Sequence, residues 1–229
     1  MTEQIRILCY GDSNTWGTIG RWVVDDTKPS ECFDAEHRWT DVLQKDLGEK
    51  FHVIREGLGG RGSIYARSSE AWKNGETYLT PCLHSHRPLD LVIVMLGTND
   101  LQIKKDYTEA DLPVGISRLV DLIQSYPKVG NGVVPPKVLI LAPIEIKPSH
   151  PDGRTEVYEK FRCEIGRNLS LQFPAVYKQV AEEKNCYFLN AGDYAEPCDA
   201  DGVHFTPESH VRLGHGLADY IRANIFPEG

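Results

Sequence analysis

The chain has 229 residues, 41% of them hydrophobic and 25% charged, a composition that excludes disordered, collagen-like and low-complexity classes. This length buries a full core without disulfides or a structural metal. Thirty-three acidic residues against twenty-five Lys and Arg leave a net charge of −8. No basic footprint is left over for nucleic acid or an anionic membrane, so neither partner is expected.

The first strand is expected at Ile5–Tyr10, close behind Met1. That leaves no room for a secretory leader, and no apolar run approaches the ~20 residues that span a bilayer; a cytoplasmic location is expected. Further strands are predicted at Phe51–Arg55, Leu89–Leu96, Lys137–Ala142 and Tyr187–Asn190. Helical patterns lie between them, the signature of βαβ units around a buried parallel sheet. Within Gly115–Tyr126, residues Ile116, Leu119, Val120, Ile123 and Tyr126 share one helical face. The stretch from Glu156 to Lys184 also reads as helix, with a break expected near Pro174. The last helix follows Thr206-Pro207-Glu208, with Thr206 as N-cap and Pro207 at the first helical position. With no repeat and no long linker, residues 1–229 read as one domain. The six cysteines form no C-x-x-C pair and are expected as reduced, mostly buried thiols.

Ligands in open α/β sheets sit beyond the carboxyl ends of the strands. Three loops that follow apolar strands carry polar clusters: Gly11-Asp12-Ser13-Asn14, Gly57-Leu58-Gly59-Gly60-Arg61-Gly62 and Gly97-Thr98-Asn99-Asp100. A fourth, Asp201-Gly202-Val203-His204, precedes the last helix. Gly-Asp-Ser alone is ordinary turn and N-cap chemistry, and the G-x-S-x-G elbow is absent. Ser13 becomes a nucleophile only beside a base that a third group orients. His204, with Asp201 three residues before it, has the spacing to supply both. Asn99 and the Gly60 N–H are candidate donors to an oxyanion. Asp12, Trp16 and Val203 are candidate walls of the substrate pocket.

Other motifs are weaker. Gly57, Gly59 and Gly62 match the dinucleotide fingerprint, but they follow the second strand and no helix clearly opens behind them. His84-x-His86 lacks a third ligand nearby and reads as solvated loop. His210 and His215 are expected on or near the surface of the last helix.

Taken in order, the blocks Gly11-Asp12-Ser13, Gly60, Gly97-Thr98-Asn99-Asp100 and Asp201-Gly202-Val203-His204 resemble the SGNH, or GDSL, hydrolase superfamily. The stretches Cys9–Gly17, Arg38-Trp39-Thr40 and Glu56-Gly57-Leu58 are most similar to its arylesterase and acyltransferase subgroup. Asn14 stands where many members carry Leu, and residues 62–74 depart from the subgroup pattern. The resemblance implies a flavodoxin-like α/β/α sandwich whose five-stranded parallel sheet runs 2-1-3-4-5, with no metal and no organic cofactor. It implies a serine esterase with Ser13, His204 and Asp201 as triad, and an oxyanion hole of the Ser13 and Gly60 N–H groups with Asn99. The expected substrate is a small short-acyl carboxylic ester, with acyl transfer to alcohols as a further activity. A homo-oligomer is expected too. Carbohydrate deacetylase, thioesterase and lysophospholipase remain as alternatives of the same chemistry; a dinucleotide-binding protein and an inactive binding module remain from other classes.

Overall fold

The five apolar runs form five parallel strands in this computed structural model, which describes residues 4–21, 31–126, 134–148 and 156–227. They are β1 (Ile5–Gly11), β2 (Phe51–Gly57), β3 (Leu91–Met95), β4 (Lys137–Ala142) and β5 (Tyr187–Asn190). Their order is β2-β1-β3-β4-β5, with Ile7 registered against Val53 on one side and Leu91 on the other. The first half of the helices comprises α1 (Ser13–Trp16), α2 (Trp39–Leu47), α3 (Gly75–His86), α4 (Asp100–Ile103) and α5 (Leu112–Gln124). After β4 come α6 (Glu156–Lys160), α7 (Glu164–Ser170), α8 (Phe173–Glu183) and α9 (Pro207–Tyr220).

Strand periodicity sorts the sheet's side chains into two cores. Leu8, Tyr10, Val92, Val94, Val138 and Ile140 pack against α3, α5 and α8. Ile7, Cys9, Leu91, Ile93, Leu139 and Leu141 pack against α2 and α9. Every position of β3 is buried, as expected for a central parallel strand covered on both faces. The chain leaves β1 for β2 on one side and later adds β3 on the other, so a crevice opens between the ends of β1 and β3.

Some boundaries differ from the sequence expectation. The 156–184 stretch is three helices, and Pro174 lies in the first turn of α8, where its missing N–H costs nothing. The stretch breaks at Leu171 and Gln172, just before Pro174 as expected, and a second time around Arg162 and Cys163, both with positive φ. The helix expected from Gly115 begins at Leu112 and ends at Gln124. Residues 63–67 do not open a helix; a 3₁₀ turn (Ser68–Lys73) intervenes before α3. The Gly-rich loop therefore has no helix N-terminus directly behind it for a pyrophosphate. Of the six free cysteines only Cys9 and Cys82 are buried, and the other four are half-buried. No described helix is long and apolar enough to cross a membrane.

Helices α2 and α9 approach closely because Gly214 lacks a side chain: an added Cβ would sit 2.6 Å from Val42 Cβ and 2.9 Å from the Trp39 carbonyl oxygen. Ala is the better helix former by ~1 kcal/mol, yet overpacking here outweighs that gain. Gly214→Ala is expected to lower stability by about 1–3 kcal/mol, read as a lower urea midpoint; a raised midpoint would refute the packing account.

Candidate active site

Beyond Gly11 the backbone turns into α1 through Asp12, whose carboxylate accepts the Asn14 N–H at 3.0 Å. This N-cap places Ser13 at the first helical position, where a backbone N–H has no intrahelical acceptor. His204 Nε2 lies 2.9 Å from Ser13 Oγ, and His204 Nδ1 lies 2.6 Å from Asp201 Oδ2. Asp201 is held in turn: its Oδ1 accepts the Val203 and His204 N–H groups at 2.9 Å each, and its Oδ2 accepts the Arg21 N–H at 3.2 Å.

Burial pushes the Asp201 carboxyl up, but the hydrogen bonds and charge of His204 and the two backbone N–H groups outweigh it and hold the pKa at about 2. Burial pulls His204 down; the bond to Asp201 and the charges of Asp201 and Asp12 exceed it, so its pKa stands above the usual value. With Asp201 ionised, Nδ1 keeps its proton and donates, and Nε2 turns its lone pair to the Ser13 hydroxyl.

Ser13 and His204, 191 positions apart in the chain, are bridged by Asn14. Its Nδ2 donates to the Val203 carbonyl at 3.1 Å, and its Oδ1 accepts the Phe205 N–H at 3.0 Å. One amide thus grips both neighbours of the histidine. Trp39 Nε1 donates to the Asn14 carbonyl at 3.0 Å, tying the same turn to α2. Nothing near Asn14 in sequence signals this role.

The Gly-rich loop is pinned beside the turn. The Arg61 guanidinium is buried, stacks over the Tyr10 ring at 4.4 Å and donates to the Gly11 carbonyl at 3.0 Å. Asp100 accepts the Ser63 N–H at 2.8 Å and the Ser63 hydroxyl at 2.5 Å. Gly60 has φ +77°, which a side chain would disfavour. Among the described residues neither the Gly60 nor the Ser13 N–H has a protein acceptor. Asn99 Nδ2 donates to the Arg61 carbonyl at 3.1 Å and to Asp12 Oδ2 at 3.3 Å.

Ser13, Gly60, Asn99, His204, Asp12 and Val203 all line one cavity of about 300 Å³. Burial raises Asp12, at its floor, to about 6. Trp16 is outside that lining: half-buried at the end of α1, it offers its carbonyl to Cys32 Sγ at 3.0 Å. His210 is not at the surface. It is fully buried, edge-on to Phe33 and Phe205 at 5.0 Å each, and burial drops its pKa to about 3. His215 is exposed and meets Asp46. His84 and His86 form the last turn of α3 rather than a loop, and away from the cleft His86 joins Glu56 and Cys82 in a cluster of metal-ligand types.

The raised His204 pKa makes the stabilisation from its charge fully present below the unfolded-state value of ~6.5, fading as pH rises through the folded value. The lowered Asp201 value, from 3.8 to about 2, sets the acid limit of the same pair. The His204 ring resonances are expected to titrate above ~6.5, and Asp201→Asn to bring that midpoint down; a midpoint at or below ~6.5 in the unmodified chain would contradict this balance.

The chain is similar to known esterases in sequence and fold. The sequence profile of the GDSL-like Lipase/Acylhydrolase family matches residues 9–212. The native aryl esterase of M. smegmatis superposes with a TM-score of 0.84 at 37% identity, covering 96% of this chain and 99% of that one. A carbohydrate acetylesterase from Sinorhizobium meliloti gives 0.85 at 35% identity over 96% and 99%. A lipase/acylhydrolase from Enterococcus faecalis, 17% identical over 96% of both chains with a TM-score of 0.65, shares the fold. No curated protein sequence matches significantly. The chain belongs to the GDSL-like lipase/acylhydrolase family and is an esterase/acylhydrolase of that family.

Proposed function

We propose that the chain hydrolyses small short-acyl carboxylic esters through a Ser13–His204–Asp201 triad. The observation that carries this reading is the continuous hydrogen-bonded series from Ser13 Oγ through the imidazole to Asp201, at 2.9 and 2.6 Å. Ser13 Oγ attacks the ester carbonyl carbon while His204 Nε2 takes its proton. Asp201 holds the tautomer and stabilises the imidazolium. The Ser13 and Gly60 N–H groups receive the oxyanion, and Asn99 joins them by exchanging its bond to Asp12, at 3.3 Å the longest it makes, for the new charge. His204 then protonates the departing alcohol. Water, activated by the same ring, cleaves the acyl-enzyme and restores Ser13; an alcohol in place of water makes the reaction an acyl transfer.

A small substrate is supported by the cavity, whose volume of about 300 Å³ is at the small end for ligand sites. Thr18, Lys73, Gln102 and Lys160 add polar groups to its lining. That lining, with the likeness to a carbohydrate acetylesterase, favours an acetylated carbohydrate as a second reading for the alcohol portion. A homo-oligomer belongs to the proposal and is read by light scattering.

Ser13→Ala is expected to lower kcat by on the order of 10⁶ and to abolish labelling by a fluorophosphonate probe. Labelling mapped to another residue, or turnover that survives the substitution, would end the triad reading. Asn99→Ala is expected to cost ~10²–10³ in kcat with little change in KM. Undiminished turnover would remove Asn99 from the oxyanion hole. Parallel assays on acetylated sugars, nitrophenyl esters and acyl thioesters decide the leaving group.

A further inference from the structure

The fold splits the His84-x-His86 motif. His84 meets the Tyr126 ring edge-on at 5.3 Å, whereas His86 turns to β2 and places Nε2 2.8 Å from Glu56 Oε1. Helix geometry decides this, because residues two apart do not face each other and residues four apart do. Cys82 lies one turn before His86, and Tyr78 one turn before Cys82. The Tyr78 hydroxyl donates to Glu56 Oε2 at 3.3 Å. The ligand atoms of Glu56, Cys82 and His86 all lie within 4.8 Å of one another.

We propose that Glu56, Cys82 and His86 form a binding site for a borderline-soft divalent cation of the zinc type, separate from the catalytic cleft. None of the three lines the cavity at Ser13. Thiolate, imidazole and carboxylate together make a zinc-type ligand set, unlike the all-oxygen sets of magnesium and calcium. A tetrahedral ion with bonds of roughly 2.0–2.3 Å spaces its ligand atoms about 3.3–3.8 Å apart, so His86 and Glu56, at 2.8 Å, part slightly and the wider separations, up to 4.8 Å, close by about 1 Å. Two ligands come from successive turns of one helix and the third from the strand beside it, a rigid support.

Charge and access also fit. The ion binds the Cys82 thiolate, and the Sγ proton passes to solvent. With ionised Glu56, that neutralises a divalent cation. The neighbouring Arg61 directs a hydrogen bond to the main-chain carbonyl of Glu56, not to its carboxylate. Cys82 is buried, while the His86 and Glu56 side chains are 29% and 19% exposed. The open side admits the ion and leaves the fourth position to water. Bound there, the ion ties the last turn of α3 to the end of β2, from which the loop carrying Gly60 departs.

The test uses the full chain, kept reduced and stripped with a chelator, titrated with cobalt(II) and then zinc(II). Expected are saturable binding, a thiolate-to-cobalt charge-transfer band with four-coordinate ligand-field absorption, displacement by zinc, and a Tm that rises with zinc concentration. Cys82→Ser removes the charge-transfer band. His86→Gln and Glu56→Gln alter partly exposed groups by near-isosteric changes and are expected to keep the fold by circular dichroism. Each is expected to weaken zinc binding by more than the ~10–100-fold that loss of a supporting hydrogen bond costs. These two carry the test if Cys82→Ser fails to fold. His215→Gln, at the exposed pair with Asp46, leaves the affinity unchanged. No saturable binding, cobalt binding without the thiolate band, or affinity unaltered in His86→Gln would each overturn the proposal, the last two placing the ion on surface histidine–carboxylate pairs.

Discussion

The site depends on one side-chain amide. Asn14 reaches across the crevice to the Val203 carbonyl and the Phe205 N–H, and so sets the distance between the Ser13 turn and the His204 loop. Both bonds are buried, where a lost partner costs the desolvation of an unpaired polar group. Ser13 and His204 are adjacent because the residues flanking each are already joined. Asn14 is therefore a structural clamp in this chain.

Burial around that clamp treats three carboxylates differently. Asp201 stays ionised because donors converge on it, which keeps the imidazole in the tautomer that faces Ser13. Asp12 and Asp100 are as buried but poorer in donors, and burial lifts them to about 6 and about 7. Their role is to organise loops. Asp12 caps α1, and Asp100 receives both polar groups of Ser63. Arg61 closes the frame from below, its charge set over Tyr10 and Tyr78 and its donor on the Gly11 carbonyl. The Gly60 N–H, without a protein acceptor among the described residues, is the result of that frame rather than of glycine content alone.

Much of this architecture was legible from local pattern. All five predicted strands exist, with ends shifted by at most two residues, and the order 2-1-3-4-5 that the family resemblance implied is the observed one. Thr206 caps α9, accepting the Ser209 N–H at 3.0 Å. Two misreadings share a cause. His210 and His86 were placed from their polarity, but helix phase turned one into the core beside Phe205 and the other onto Glu56. Trp16 was placed from its nearness to Ser13, but it stands half-buried at the end of α1 with its carbonyl on Cys32 Sγ, outside the residues that line the cavity. The break expected near Pro174 lies at Leu171 and Gln172, and Pro174 sits in the first turn of the helix that follows.

Hydrophobic period, turn residues and capping residues act over a few positions, so the sequence by itself determined the strands, the sheet's layering and which loops bear polar clusters. Pairings across scores of residues depend on helix phase, loop path and competition among buried donors and acceptors. Tertiary structure alone decided that Asn14 meets Phe205, that Arg61 lies under Gly11, and that Cys82 and His86 face Glu56. A lone side chain carries no record of the distant group that will satisfy it once water is excluded.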